Sequence, residues 1–264
     1  MKRRILRLLR AFGCDPVKFF RSVCRLRCFL SDKARLKKQA KNATEKFPFG
    51  NDYPILDEGS SGGAKGHYFH QDLHVARRIF ENNPNIHIDV GSRVDGFIAH
   101  VAVFRKIKVV DIRPQTSVVK NIEFIQADMM IPVSDELIEC CDSLSCLHAL
   151  EHFGLGRYGD PIDFEGHLKG LENLYKMLKA GGKLYLSVPI GKQRIEFNGQ
   201  RVFDVQTLLN YFRGRYHLDC FSYVDSCGDF HENVDLTSQE EIERDFGCTC
   251  GCGIFELTKR VSGN

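Results

Sequence analysis

The chain has 264 residues, 43% of them hydrophobic, enough to bury one sizeable core. It has no apolar run of about eighteen residues, so no membrane-spanning helix is expected; the basic N-terminus lacks the apolar stretch and small-residue cleavage site of an export signal. Eleven cysteines, an odd number without disulfide-framework spacing, read as reduced thiols, and the chain as cytoplasmic.

The net charge of +3 is unevenly spread. Residues 1–46 hold fifteen Lys and Arg against Asp15, Asp32 and Glu45, a net of +12, which leaves −9 for the remainder (22 basic, 31 acidic). Within this arm Ile5, Leu8, Leu9 and Phe12 recur at helical spacing among Arg3, Arg4, Arg7 and Arg10. After a break at Cys14-Asp15-Pro16 the pattern resumes with Phe19, Phe20, Val23 and Cys24. Basic amphipathic helices suit an anionic membrane surface, here the inner face of a membrane. They also suit packing against a protein; nucleic acid is not expected, since no stacking platform or recognisable module accompanies the charge.

Residues 47–66, with Pro48, Pro54 and the Gly-rich run 59–66, read as a linker. A helix then starts near His67, with Leu73, Ala76, Ile79 and Phe80 on one face and Pro84 ending it. Tyr68, Phe69, His70 and Gln71 at its start are placed either to touch a ligand or to pack as core. The stretch 86–113 predicts a strand (Ile86–Val90), a glycine turn (Gly91–Gly96), a helix over about 97–106 and a strand (Lys108–Ile112). Asp111 closes that second strand twenty residues after Gly91, where a carboxylate can accept both hydroxyls of a ribose. The link from Arg113 to Asn121 is short for a helical crossover. Further strands are expected at 122–127, 140–146, 183–188, 216–223 and 254–258, with helices at 164–179 and 204–213.

The pieces IDVGSRVDG (88–96), VVDIR (109–113), IQADMM (125–130), DSLSCLHALEHF (142–153) and LKAGGKLYLSVP (178–189) resemble, in order and interval, the class I S-adenosylmethionine-dependent methyltransferases. GHYFHQDLHVAR, the VGSRVDG turn and VPIGKQRIEFNGQRVFD look most like an uncharacterised bacterial family, domain of unknown function 268. The resemblance implies an α/β fold with a doubly wound, mostly parallel, seven-stranded sheet over 67–264. It implies S-adenosylmethionine as cofactor, with Asp89, Gly91, Ser92 and Gly96 beside its methionine portion, Asp111 on the ribose, and Asp128 and Met129 at the adenine. The family turn Asp-x-Gly-x-Gly-x-Gly is altered here: Ser92-Arg93-Val94-Asp95 replaces the middle glycine and adds one residue before Gly96.

Open α/β sheets bind ligands beyond the strand C-termini where strand order reverses. His148 after the fourth strand is therefore the preferred catalytic base, with Glu151 and His152 orienting it. His148 to His152 also spells His-x-x-Glu-His, a zinc-peptidase arrangement, although a strand enters it and glycines leave it. Lys192, Arg194, Asn198 and Arg201, after the fifth strand, are candidate acceptor-binding groups for a nucleotide sugar or lipid-linked glycan. Arg157, Tyr158 and Asp160 lie in a Gly-rich loop placed to close over the acceptor. Cys248, Cys250 and Cys252, with His231, lack the usual zinc spacing and read as ordinary thiols, so no metal is expected. The expected function is methyl transfer to a hydroxyl of a polar acceptor; the rival is a non-catalytic binding or scaffold protein that keeps the sheet.

Overall fold

The computed structural model describes residues 9–45, 47–56 and 62–261. It divides into two units, Met1–Gly63 and Ala64–Asn264. In the first, one helix, α1 (Pro16–Ala40), follows the expected break. Asp15 caps it, its Oδ1 accepting from the backbone N–H of Val17 and Lys18 at 3.1 Å, and Pro16 supplies a preset first turn. Ile5, Leu8, Arg3, Arg4 and Arg7 lie outside the described residues. No described helix is long and apolar enough to cross a membrane.

The second unit begins with α2 (His67–Asn82) and then forms an eight-stranded sheet in the order β3-β2-β1-β4-β5-β10-β8-β9. Its strands are β1 (His87–Val90), β2 (Ile107–Asp111), β3 (Ile122–Gln126), β4 (Cys141–Leu147), β5 (Leu178–Ile190), β8 (Tyr216–Val224), β9 (Phe230–His231) and β10 (Gly251–Lys259). β1 to β5 pair in parallel, and β10 runs antiparallel between β5 and β8. The eighth strand is the two-residue edge β9, too short to show in a hydrophobic pattern. A separate hairpin, β6 (Arg194–Glu196) and β7 (Gln200–Val202), follows β5. No helix spans 112–121, consistent with the short link between β2 and β3.

Each face of the sheet carries its own core. Val75, Ala76 and Ile79 of α2 pack with Phe97, Ile98, Val109 and Ile254 on one side. On the other, α4 (Gly166–Met177) and α5 (Val205–Phe212) contribute Leu174, Met177, Leu208 and Phe212 against Ile88, Leu144, Leu186 and Phe255. β1 is buried along its whole length, as a strand covered on both faces must be. α2 is also held by charge: Arg78 donates from Nε and Nη2 to the buried Glu256 of β10 at 2.8 and 3.2 Å, and Lys183 lies 3.0 Å from the same carboxylate.

The extra residue in the turn after β1 has a structural outcome. Val94–Ile98 form a π-type turn, in which Ile98 N–H reaches Arg93 O at 3.4 Å, before the chain continues into α3 (Ala99–Ala102). An i→i+5 turn of this kind accommodates a single inserted residue. Gly96 sits at the kink with non-helical φ −122° and ψ −110°.

Candidate functional site

Strand order reverses between β1 and β4, and a cavity of about 410 Å³ opens beyond their C-terminal ends. Gly91 forms part of its wall. Its φ of +75° favours glycine, its N–H donates to Val110 O at 2.9 Å, and an added Cβ would stand 2.8 Å from that of Ala149. The strand ends contribute Val90, Asp111, Asp128 and Met129; the start of α2 contributes His67 and Tyr68; the loop beyond Gly156 contributes Arg157, Tyr158 and Asp160.

Asp111 and Asp128 thus face one cavity from neighbouring strand ends. Asp111 accepts from the backbone N–H of Arg113 at 2.8 Å, from its Nε at 2.9 Å and from its Nη2 at 2.5 Å. The Arg113 guanidinium also lies over the Tyr158 ring, 4.6 Å from the centroid. Asp128 Oδ1 accepts from Met130 N–H at 2.8 Å, leaving Oδ2 available. Arg93 lines the cavity and pairs with Asp95 at 2.7 Å.

The expected contact of Asp89, Ser92 and Gly96 with the cofactor is corrected by their positions, since none of them lines the cavity. The Asp89 side chain is fully buried beneath the turn. Its carboxylate accepts from Ser92 N–H (2.9 Å), Ser92 Oγ (2.6 Å) and Ser145 Oγ (2.6 Å). Burial pushes its pKa up to about 7 against these hydrogen bonds. Ser92 Oγ also accepts from Leu147 N–H at 3.3 Å, so this pair ties the turn to β4 from behind. A Cβ on Gly96 would stand 2.7 Å from Asp72 Oδ2, so this glycine packs on α2 instead of on a ligand.

The far corner of the cavity holds His148, Glu151 and His152, all lining it. His148 turns out of β4 at φ +48° and stacks on His67 with centroids 5.2 Å apart and planes 3° apart. Its Nδ1 meets Glu151 Oε1 at 2.7 Å, while Nε2 and Glu151 Oε2 are buried without a hydrogen-bond partner. Burial opposes a charge on His148, but the nearby Cys252 sulfur and Glu151 carboxylate outweigh it and raise its pKa well above the ordinary value. Burial, reinforced by His148, lowers His67 to about 4. His152 Nδ1 donates to Gly199 O at 2.7 Å. Leu150–His152 form a single 3₁₀ turn, so the zinc-peptidase reading fails: it needs both histidines on one helical face.

The proposed acceptor residues separate from the cavity. Arg201 is a buried clamp, donating to the carbonyls of Phe153 (2.5 Å), Asp163 (3.2 Å) and Phe164 (3.0 Å), which corrects its expected role as a ligand group. Arg194 pairs with Glu196 and donates to Lys192 O, both at 3.0 Å. Lys192, Arg194 and Asn198 do not line the cavity, whereas Gln200 of the same hairpin does. His231 turns to Asp225 at 3.1 Å. His67, Arg113 and Gln200 lie inside the matching stretches, yet nothing in the residue types or spacing gave them a role.

In three dimensions the chain is similar to a 1,6-didemethyltoxoflavin-N1-methyltransferase from Burkholderia thailandensis, crystallised with its substrate and S-adenosylhomocysteine. Identity is 11%, coverage 72% of this chain and 79% of the other, and the TM-score 0.50, a likeness of fold. The N-methyltransferase NodS of Bradyrhizobium japonicum WM9, with S-adenosylhomocysteine, matches at 14% identity over 74% and 88% of the two chains, TM-score 0.47. No protein of curated function matches by sequence. Residues 103–247, more than half of the chain, match the family described as Caenorhabditis protein of unknown function, DUF268, rather than a bacterial group, and the chain belongs to that family.

Proposed function

We propose that the chain transfers a methyl group from S-adenosylmethionine to a hydroxyl of a polar acceptor such as a nucleotide sugar or lipid-linked glycan. The observation that carries this reading is that Asp111 and Asp128 face one cavity at the strand-order reversal of a methyltransferase-like sheet. The donor set suits the cofactor. Asp111 Oδ2 takes one bond from Arg113 and keeps a lone pair for a ribose hydroxyl. Asp128 Oδ2 suits an adenine amino group, and Met129 offers an apolar contact to the ring. A cavity of about 410 Å³ falls in the range of small-molecule sites.

Methyl transfer is an in-line displacement. The acceptor oxygen bonds to the methyl carbon, the sulfur–carbon electron pair returns to sulfur, and the hydroxyl proton passes to His148 Nε2. Holding the two reactants in line supplies much of the rate. His148 accepts that proton only in its neutral form, which its raised pKa confines to higher pH, and Glu151 orients the ring through Nδ1. Arg93 and Arg157 add cations to the cavity wall that suit a phosphate or carboxylate of the acceptor. Lys192, Arg194 and Asn198, outside the cavity, would touch only the distal part of a large acceptor.

The test is transfer of labelled methyl from S-adenosylmethionine to sugar, nucleotide-sugar and glycolipid hydroxyls, with release of S-adenosylhomocysteine measured in parallel. The reading predicts acceptor-dependent release that Asp111→Ala abolishes. Cofactor binding without turnover on any of these acceptors supports the non-catalytic rival instead.

For the first unit we propose peripheral attachment to an anionic membrane surface. Phe19, Val23, Leu26 and Leu30 form one exposed apolar stripe on α1, whose other positions include eight Lys and Arg against Asp32 alone. Flotation with anionic vesicles should be lost in a full-length Leu26→Asp/Leu30→Asp variant. Equal flotation of variant and wild type removes the attachment.

A further inference from the structure

Among the described residues, one group of metal-ligating side chains converges: His67, His148 and Cys252, whose ligand atoms lie within 4.8 Å of one another. They come from the start of α2, the end of β4 and the start of β10. Three features separate this cluster from chance packing. His148 Nε2 is buried with no hydrogen-bond partner, an arrangement that costs free energy unless something takes its lone pair. Its other nitrogen is held by Glu151 Oε1 at 2.7 Å, the carboxylate–histidine pairing that fixes tautomer and ring angle in metal sites. The Cys252 thiol, wholly buried, neighbours the His148 ring and otherwise finds a long contact of 3.6 Å to Gln71 Oε1 and a weaker one to Gly253 O at 3.9 Å.

We propose that His67, His148 and Cys252 bind a zinc ion at the cavity floor, with a fourth position open to the cavity. Imidazole nitrogen and thiolate sulfur are both zinc ligands, and three protein ligands with one open tetrahedral position is the arrangement of catalytic zinc. Zinc bonds of about 2.0–2.3 Å set ligand atoms roughly 3.3–3.8 Å apart, so the three need to close by up to about 1.5 Å, with the His67 ring turning out of its stack on His148. His67 and His148 line the cavity whereas Cys252 is sealed behind them, which turns the vacancy toward the ligand space. The Glu151 carboxyl on Nδ1 favours a cation at Nε2. The ion takes the lone pair that the sequence reading gave to a proton. Zinc binding stands apart from methyl transfer; where both operate, the open position is where the acceptor hydroxyl docks and loses its proton to solvent.

The test uses the full-length chain, stripped with a chelator and dialysed against zinc sulfate. About one zinc per chain is expected, and X-ray absorption at the zinc edge should show one sulfur at about 2.3 Å with nitrogen at about 2.0–2.1 Å. Cys252→Ser and His67→Ala should each weaken zinc binding at least about tenfold, while Cys227→Ser, at an exposed thiol, should not. No bound zinc, coordination by sulfur alone, or wild-type affinity in the first two variants would overturn the site. Should those variants misfold, the wild-type absorption spectrum still decides. Calorimetry of the zinc-free chain with S-adenosylmethionine separates failure of this site from failure of the cofactor reading.

Discussion

Replacing Asp89 by Asn tests whether the turn after β1 is held from behind by a carboxylate that resists ionisation. The wild-type group titrates at about 7 in the folded chain against an ordinary value of 3.8, because burial outweighs the bonds from Ser145 and Ser92, with Asp111 adding repulsion. The folded state therefore binds more protons than the unfolded state between those values. Stability from this group is fully present below the unfolded value and is lost as pH rises through the folded one. A shift of roughly 3 units corresponds to about 4 kcal/mol over that window. Asn keeps an acceptor for Ser92 N–H, the hydroxyls of Ser92 and Ser145 can turn to accept from its amide, and it does not titrate. Urea denaturation of both proteins from pH 4 to pH 8 isolates the term, since other groups cancel in the difference. The variant should gain on the wild type as pH rises, by about 4 kcal/mol over the range. Parallel curves, or a wild type that gains, would refute the reasoning.

Arg201→Ala should cost roughly 3 kcal/mol or more in chemical denaturation, because it leaves the carbonyls of Phe153, Asp163 and Phe164 without their donor. An unchanged stability with a raised acceptor KM would return Arg201 to the ligand role. Glu256→Ala should destabilise by about 1–3 kcal/mol, since Arg78 and Lys183 keep Glu81 and Asp219 but lose the buried carboxylate they share; a thermal melt within a degree of wild type contradicts this. Gly91→Ala places a methyl 2.8 Å from the Ala149 Cβ at φ +75°, so a loss of about 1–2 kcal/mol and weaker cofactor binding are expected from melting and calorimetry.

The parallel half of the sheet was legible because strands covered on both faces read as short apolar runs, each ended by a turn or an acid. Asp111, His148 and Glu151 could be placed from sequence since strand C-termini point at the reversal in strand order, and Asp128 through the family resemblance. Asp89 could not: a strand residue next to the turn can face the ligand or the interior, and only the hydroxyls of Ser92 and Ser145 decide between them. Arg201 misled because an arginine in a polar loop looks the same whether it meets a phosphate or backbone carbonyls. The His67–His148–Cys252 cluster draws on three segments far apart in the chain, so no local spacing announces it. The inserted residue before Gly96 was visible, but its resolution as a π-type turn needed coordinates.

The most direct measurement is calorimetric titration of the folded full-length chain with S-adenosylmethionine, alongside Asp111→Ala. Losing a hydroxyl contact to a carboxylate costs about 1.5–3 kcal/mol, roughly ten- to a hundredfold in affinity. Saturable binding at one site per chain is expected, with that loss in the variant. No heat from wild type at millimolar cofactor, or equal affinity in both proteins, would contradict it.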